Sequence, residues 1–167
     1  MLIREATAED HAEIHAVVTA AFGPFSKNEG PDEADLVDAL RADGDALVEL
    51  VAQEGRYIIG HVLFSPLLTD TGQRFAALAP LSVLTTRQRD GVGTALMQTG
   101  HALCRKAGIE AVIVLGHPDY YPRVGYSAAA ATRVTAPFAG PSFMALALTP
   151  GALDQPVTIT YARAFGL

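Results

Sequence analysis

The chain has 167 residues, 18 acidic against 12 basic side chains, a formal charge of -6 and 50% hydrophobic content. That suits one domain with a sizeable core. It excludes a disordered chain, and it excludes a general nucleic-acid binder, which needs clustered Lys and Arg against phosphate. No run approaches the about 20 apolar residues of a membrane span. The Met1–Thr7 start lacks the basic-then-apolar order of a secretory leader, and the single cysteine forms no internal disulfide, so a cytoplasmic protein is expected.

In chain order, Leu2-Ile3-Arg4 reads as a short strand. Thr7 opens a helix with Asp10 three residues on, a capping-box spacing, and Ile14, Val17, Val18 and Ala21 recur at helical period up to Phe22. Gly23-Pro24 ends it, Ser26–Gly30 reads as loop, and Pro31 starts a second helix that stops near Gly44. Three strands follow over Ala46–Gln53, Tyr57–Leu68 and Arg74–Leu84. Short turns at Glu54-Gly55 and Asp70-Thr71-Gly72 join them into an antiparallel meander. Pro66 marks an edge or irregularity late in the second run, and Pro80 interrupts the third.

From Gly91 the period changes. Val92, Leu96, Gly100, Leu103 and Ala107 lie three or four apart on an amphipathic helix that Gly108 closes. Ala111–Leu115 then reads as a strand buried on both faces, so strand, helix and strand make a βαβ crossover whose outer strands run parallel. His117–Tyr126 is rich in Pro and Tyr, an Ala-rich stretch follows, and Phe143–Leu148 and Val157–Tyr161 are strands with a helical turn at Gly151–Leu153 between them. One α/β domain spanning 1–167, with a mixed sheet, is expected.

The most informative segment is Gln88-Arg89-Asp90-Gly91-Val92-Gly93-Thr94, which leads from a strand into the crossover helix. A helix start carries unpaired N–H groups and the positive end of the dipole, and two glycines let an anion come close to the backbone. A phosphate or pyrophosphate is the expected ligand; a tight strand-to-helix turn is the other use of the two glycines. A P-loop would need Lys where Thr94 stands, and a dinucleotide fingerprint would need a third glycine where Leu96 stands.

Three segments taken together are more specific. Leu78-Ala79-Pro80-Leu81-Ser82-Val83-Leu84, then Gln88-x-x-Gly-x-Gly, then Val114-Leu115-Gly116-His117-Pro118-x-Tyr-Tyr-Pro-Arg-x-Gly-Tyr126 resemble the GCN5-related N-acetyltransferase (GNAT) superfamily, and within it the YhbS-like group. Thr85-Thr86 departs from the Pro and polar residue usual after the preceding strand. The resemblance implies a mixed, mostly antiparallel sheet with a central βαβ crossover and helices on both faces. It implies an acetyltransferase using acetyl-CoA, with no metal, that moves the acetyl group to an amine of a small molecule or peptide by direct attack in a ternary complex. A non-catalytic acyl-CoA-binding module is the rival reading, and a homodimer is an assembly that the apolar C-terminal strands would suit.

The resemblance also distributes roles. Backbone groups of Gln88, Arg89, Asp90, Gly91, Val92, Gly93 and Thr94 would bind the pyrophosphate. The pantetheine arm would run between Arg74–Leu84 and Glu110–Leu115, and a bulge at Pro80 would free backbone groups of Leu81, Ser82 and Val83, with an N–H near Val83 on the acetyl carbonyl. Tyr121, five residues before Tyr126 of the Gly-aromatic pair, is the candidate acid for the leaving thiolate, and Tyr120 is its neighbour and rival. His117 is the candidate base, with Asp119, Glu29 and Glu33 as alternatives. Arg87 and Arg89 flank the loop, for phosphate or for solvent. His61 faces either cleft or core, His11 and His15 share a helix face, and Cys104 is a small core residue.

Overall fold

The computed structural model describes residues 1–23 and 32–167. Its elements are β1 (Leu2–Glu5), α1 (His11–Phe22), α2 (Glu33–Ala42), β2 (Val48–Glu54), β3 (Tyr57–Thr69), β4 (Phe75–Val83), α3 (Val92–Lys106), β5 (Ala111–Leu115), β6 (Val134–Thr135), β7 (Phe143–Ala147) and β8 (Val157–Thr160). The main sheet runs β1-β2-β3-β4-β5-β7, with β8 pairing to β3 and β6. Only β4–β5 and β6–β8 are parallel pairs among the described residues. The expected mixed, mostly antiparallel sheet with a βαβ crossover is present.

Both faces are covered. Leu96 and Met97 of α3 bury against Val62, Phe64 and Leu78 on one side, and Gly100 admits the Phe64 ring where any side chain would collide with it. On the other side Ile14 and Val18 of α1 and Val37 and Leu40 of α2 close over Val51 and Leu63. A third cluster sits where Leu67, Phe75 and Ile113 meet Val157 and Ile159 from the C-terminal strands.

Boundaries differ from expectation in two places, and a third lies partly outside the described residues. The segment from Thr7 begins with a 3-10 turn at Ala8–Asp10, and α1 starts only at His11. The Asp10 carboxylate accepts the Thr7 N–H at 2.7 Å and both arms of the Arg4 fork at 2.7 and 2.8 Å, which ties the turn to β1. The second helix is described from Glu33, capped by the Asp32 carboxylate on the Asp35 N–H at 2.7 Å; a start at Pro31 and the loop Ser26–Gly30 lie outside the described residues. The Ala-rich stretch ends in a short strand, β6, which is invisible to sequence patterning because two residues carry no periodicity.

Two irregularities shape the middle of the sheet. Val62 faces Leu81 while Phe64 faces Leu78, so Ala79 and Pro80 together oppose Leu63: a bulge in β4, as Pro80 suggested. Beyond it β4 leaves β5. Their ladder covers only Phe75–Ala77 against Ala111–Ile113, after which β5 continues on β7 alone. The far half of β4, Leu78–Val83, therefore borders a gap.

Candidate active site

Parity along β4 decides which backbone groups face that gap. The Leu84 N–H donates to the Ile59 carbonyl at 2.9 Å, and Ser82 pairs with His61 two positions further along the same ladder. Hydrogen-bonded and non-bonded pairs alternate in an antiparallel ladder, so the Ser82 backbone bonds to β3, while Leu81 and Val83 turn their N–H and C=O toward β5. Of the three residues expected to offer backbone groups, Leu81 and Val83 turn theirs toward the gap and Ser82 turns its own toward β3. The Gln88 side-chain amide donates to the Val83 carbonyl at 3.2 Å, which leaves the Val83 N–H facing the gap and fastens the following loop to the strand.

That loop ends at α3. Gly91 caps the helix at φ +81, a left-handed conformation that glycine adopts without a Cβ penalty. Arg89 holds φ +70, the only non-glycine among the described residues with positive φ. The left-handed form costs an L-residue roughly 1–2 kcal/mol, and such strain tends to collect at functional loops. The first helical donor is Ala95, whose N–H reaches the Gly91 carbonyl at 3.0 Å. The N–H groups of Val92, Gly93 and Thr94 have no acceptor within the helix. Arg87 is engaged by carboxylates, Glu54 at 2.7 Å and Asp90 at 3.2 Å, so it braces the loop against the β2–β3 hairpin rather than standing open to an anion. Arg89 is exposed and joins no ion pair among the described residues.

The segment after β5 closes the other side. A Cβ on Gly93 would overlap the Tyr120 hydroxyl and sit 3.7 Å from Leu81, so Tyr120 lies across the start of α3 beside the bulged strand. Burial pushes its hydroxyl pKa up, and the neighbouring Thr94 side chain opposes part of the rise. Gly93 thus serves contact with Tyr120, and Gly91 serves the turn. Tyr121 packs edge-on between Tyr120 and Tyr126, at 5.1 and 5.9 Å between ring centres, and lies flush on Gly116. Burial, with Tyr120 adding to it, pushes the Tyr121 hydroxyl up to about 12, and among the described residues that hydroxyl has no hydrogen-bond partner. Beneath it the buried Tyr126 hydroxyl meets His101 Nε2 of α3 at 2.7 Å.

Other candidates are dispersed. His117 is exposed, and its carbonyl accepts the Tyr120 N–H at 3.1 Å; Asp119 is exposed too. Glu33 opens α2, and Glu29 lies outside the described residues. His15 pairs with Asp38 of α2 at 3.2 Å. No group of three or more His, Cys, Asp or Glu among the described residues is placed to hold a metal ion. Cys104 is buried in the core, where burial raises its thiol to about 12. His61 is fully buried, resolving its two sequence options toward the interior.

A splayed β4–β5 pair, a strand bulge and a glycine-capped helix start meet along one gap in the sheet. The profile of the acetyltransferase (GNAT) family matches residues 12–126, and the chain belongs to that family. Within it the chain falls in the YhbS-like group. It is 37% identical to the uncharacterized N-acetyltransferase YjhQ of Escherichia coli K12 over 159 residues, 90% of this chain and 84% of that protein. A GNAT family acetyltransferase from Brucella melitensis, solved in complex with acetyl-CoA, superposes with a TM-score of 0.81 at 34% identity, covering 98% of this chain and 97% of that one. YhbS from Escherichia coli, solved in complex with CoA, superposes with a TM-score of 0.86 at 29% identity, covering 99% and 92%.

Proposed function

We propose that residues 1–167 form one N-acetyltransferase domain that transfers an acetyl group from acetyl-CoA to an amine of a small molecule or peptide, by direct attack in a ternary complex. The observation that carries this reading is the gap beside β4, with Leu81 and Val83 backbone groups unpaired by β5 and the α3 N-terminus at its end. The backbone from Gln88 to Thr94 receives the pyrophosphate. The Val83 N–H receives the acetyl carbonyl, a position where one donor is typically worth about 3–4 kcal/mol in the barrier. Ser82 lies between them, with its backbone bonded to β3 and its side chain buried.

Tyr121 supplies the proton to the departing thiolate; its half-buried hydroxyl remains protonated at neutral pH. His117 stands at the solvent rim as a base for the incoming amine. The only cysteine is buried with a raised pKa, which favours direct transfer over an acyl-cysteine intermediate. The single buried thiol also suits a cytoplasmic setting.

The test is a calorimetric titration of the purified protein with acetyl-CoA, with ATP and NADH as controls, followed by a screen of primary amines for CoA release. Acetyl-CoA binding without ATP or NADH binding, and turnover with at least one amine, is the expected result. Binding without turnover on any amine would favour an acyl-CoA-binding module, and no binding would overturn the reading.

A further inference from the structure

His61 and His101 are both buried, and they are held in different ways. His61 Nε2 lies 2.7 Å from Glu49 Oε2, and the Arg41 fork of α2 closes on the same carboxylate at 2.9 and 2.7 Å, which fastens α2 to the sheet. His101 of α3 meets a phenol instead, with the Tyr126 hydroxyl 2.7 Å from its Nε2. Burial, with Arg105 adding to it, lowers the His101 pKa to about 4, and burial raises the Tyr126 hydroxyl well above its ordinary value. Both partners are therefore uncharged at neutral pH.

That bond lies inside a row of rings. Phe64 of β3 packs edge-on to His101 at 6.0 Å between ring centres, and His101 leans on Tyr126 at 5.4 Å. Tyr126 meets Tyr121 edge-on at 5.9 Å, and Tyr121 meets Tyr120 edge-on at 5.1 Å. The row begins beside the β4 bulge, where Phe64 opposes Leu78, and ends at Tyr120 across the start of α3. Ring contacts of this kind tolerate sliding, whereas a short hydrogen bond fixes both distance and direction.

The turn that carries Tyr121 is bonded mostly to itself. The Tyr120 and Tyr121 N–H groups donate to the His117 carbonyl at 3.1 and 3.4 Å, Arg123 N–H to the Tyr120 carbonyl at 3.2 Å, and Tyr126 N–H to the Tyr121 carbonyl at 3.4 Å. Ser127 then pairs with Ala145 and ties the end of the turn to β7. The Tyr126–His101 bond ties it to α3, the helix whose first N–H groups lack acceptors within the helix. A pantetheine arm has one length, so phosphates held at the start of α3 fix where the sulfur lies. An acid must come within hydrogen-bond reach of that sulfur, and a misplacement of about 1 Å can cost up to about 100-fold in rate. Acid and phosphate seat need a common frame.

We propose that His101 and Tyr126 are a positioning pair: their buried hydrogen bond holds the turn of Tyr121 in register with α3, so that the Tyr121 hydroxyl meets the sulfur of a thioester whose phosphates sit at the helix start. This deepens the acetyl-transfer reading above and rests on it, with Tyr121 as its acid. Neither member of the pair touches substrate or exchanges a proton in the reaction; both act through Tyr121.

The experiment starts from acetyl-CoA calorimetry and from Tyr121→Phe. No binding, or an unchanged kcat in Tyr121→Phe, overturns the reading on which the pair depends, and the pair with it. With both in hand, Tyr126→Phe deletes one hydroxyl and keeps the ring. It is expected to lower kcat about 10-fold with KM for acetyl-CoA within about twofold, and to cost nothing further in the Tyr121→Phe chain. Equal losses in the two backgrounds overturn the proposal, because a general loosening does not depend on the Tyr121 hydroxyl. His101→Gln retains a partner for Tyr126 and is expected to stay within about threefold of wild-type kcat, while His101→Leu falls as far as Tyr126→Phe. A second readout needs no acceptor: the Tyr121 ring ¹³C–¹H signals in the acetyl-CoA complex. They are expected to be single and sharp in wild type and His101→Gln, and broadened or doubled in His101→Leu and Tyr126→Phe. Sharp, unmoved signals in Tyr126→Phe overturn the proposal, and that variant carries the test if His101→Leu fails to fold.

Discussion

Tyr121 and Gly93 show how far single residues can be read. Tyr121 was singled out because its spacing to Gly125-Tyr126 resembles the family's, and the structure adds its environment: a ring wedged between two tyrosines on Gly116, with a hydroxyl raised to about 12. Tyr121→Phe keeps the ring and deletes only the proton donor. It is expected to preserve acetyl-CoA affinity in calorimetry and to lower kcat by about 100-fold, and unchanged kcat on a working acceptor would remove Tyr121 from the mechanism. Gly93 was legible as a glycine, but its cause was not. The sequence suggested room for phosphate or a tight turn, and the Cβ direction adds a third demand, the Tyr120 hydroxyl. Gly93→Ala is therefore expected to weaken acetyl-CoA binding and lower the melting temperature, and Tyr120→Phe in the same chain to restore much of both. Failure of that second change to rescue would show that the contact is not what glycine serves.

Among the elements, those with strong local patterns matched expectation: the amphipathic α3, the meander β2–β4 and the apolar β5. Pro80 pointed correctly to the β4 bulge, because a missing N–H leaves few places in a ladder. Long-range pairings were not legible. The Glu49–His61–Arg41 cluster draws on β2, β3 and α2, and no spacing in the chain announces it. The same holds for Arg87, which looked available to phosphate until Glu54, across the β2–β3 hairpin, proved to hold it. Parity in β4 was equally hidden: sequence suggested three consecutive residues for the ligand, but an alternating ladder offers every second one.

The molecule as a whole should be sensitive to acid in two stages. Burial lowers His101 from 6.5 to about 4, and His61 is lowered for the same reason, so the folded state binds these protons less readily than the unfolded chain. Depressed folded values mean stability that is complete above pH 6.5 and falls as pH drops from 6.5 toward 4. Glu49, at about 2 against an ordinary 4.5, adds a second loss as pH falls from 4.5 toward 2. Urea midpoints measured from about pH 8 to about pH 3 should be level above about 6.5 and then decline. A midpoint independent of pH across that range would mean the buried histidines titrate as they do in the unfolded chain.

The gap beside β4 leaves an open strand edge inside the protein, where most folds keep such edges short or covered. Its amides should therefore differ in hydrogen exchange from one residue to the next. Ser82 and Leu84, bonded to β3, should exchange slowly, and Leu81 and Val83 quickly. A ligand that brings its own amide groups can complete the ladder in place of β5, as an added strand does in peptide recognition. Saturation with acetyl-CoA should then slow Leu81 and Val83 and leave Ser82 and Leu84 as they were. On that account the bound thioester is a temporary strand of the sheet.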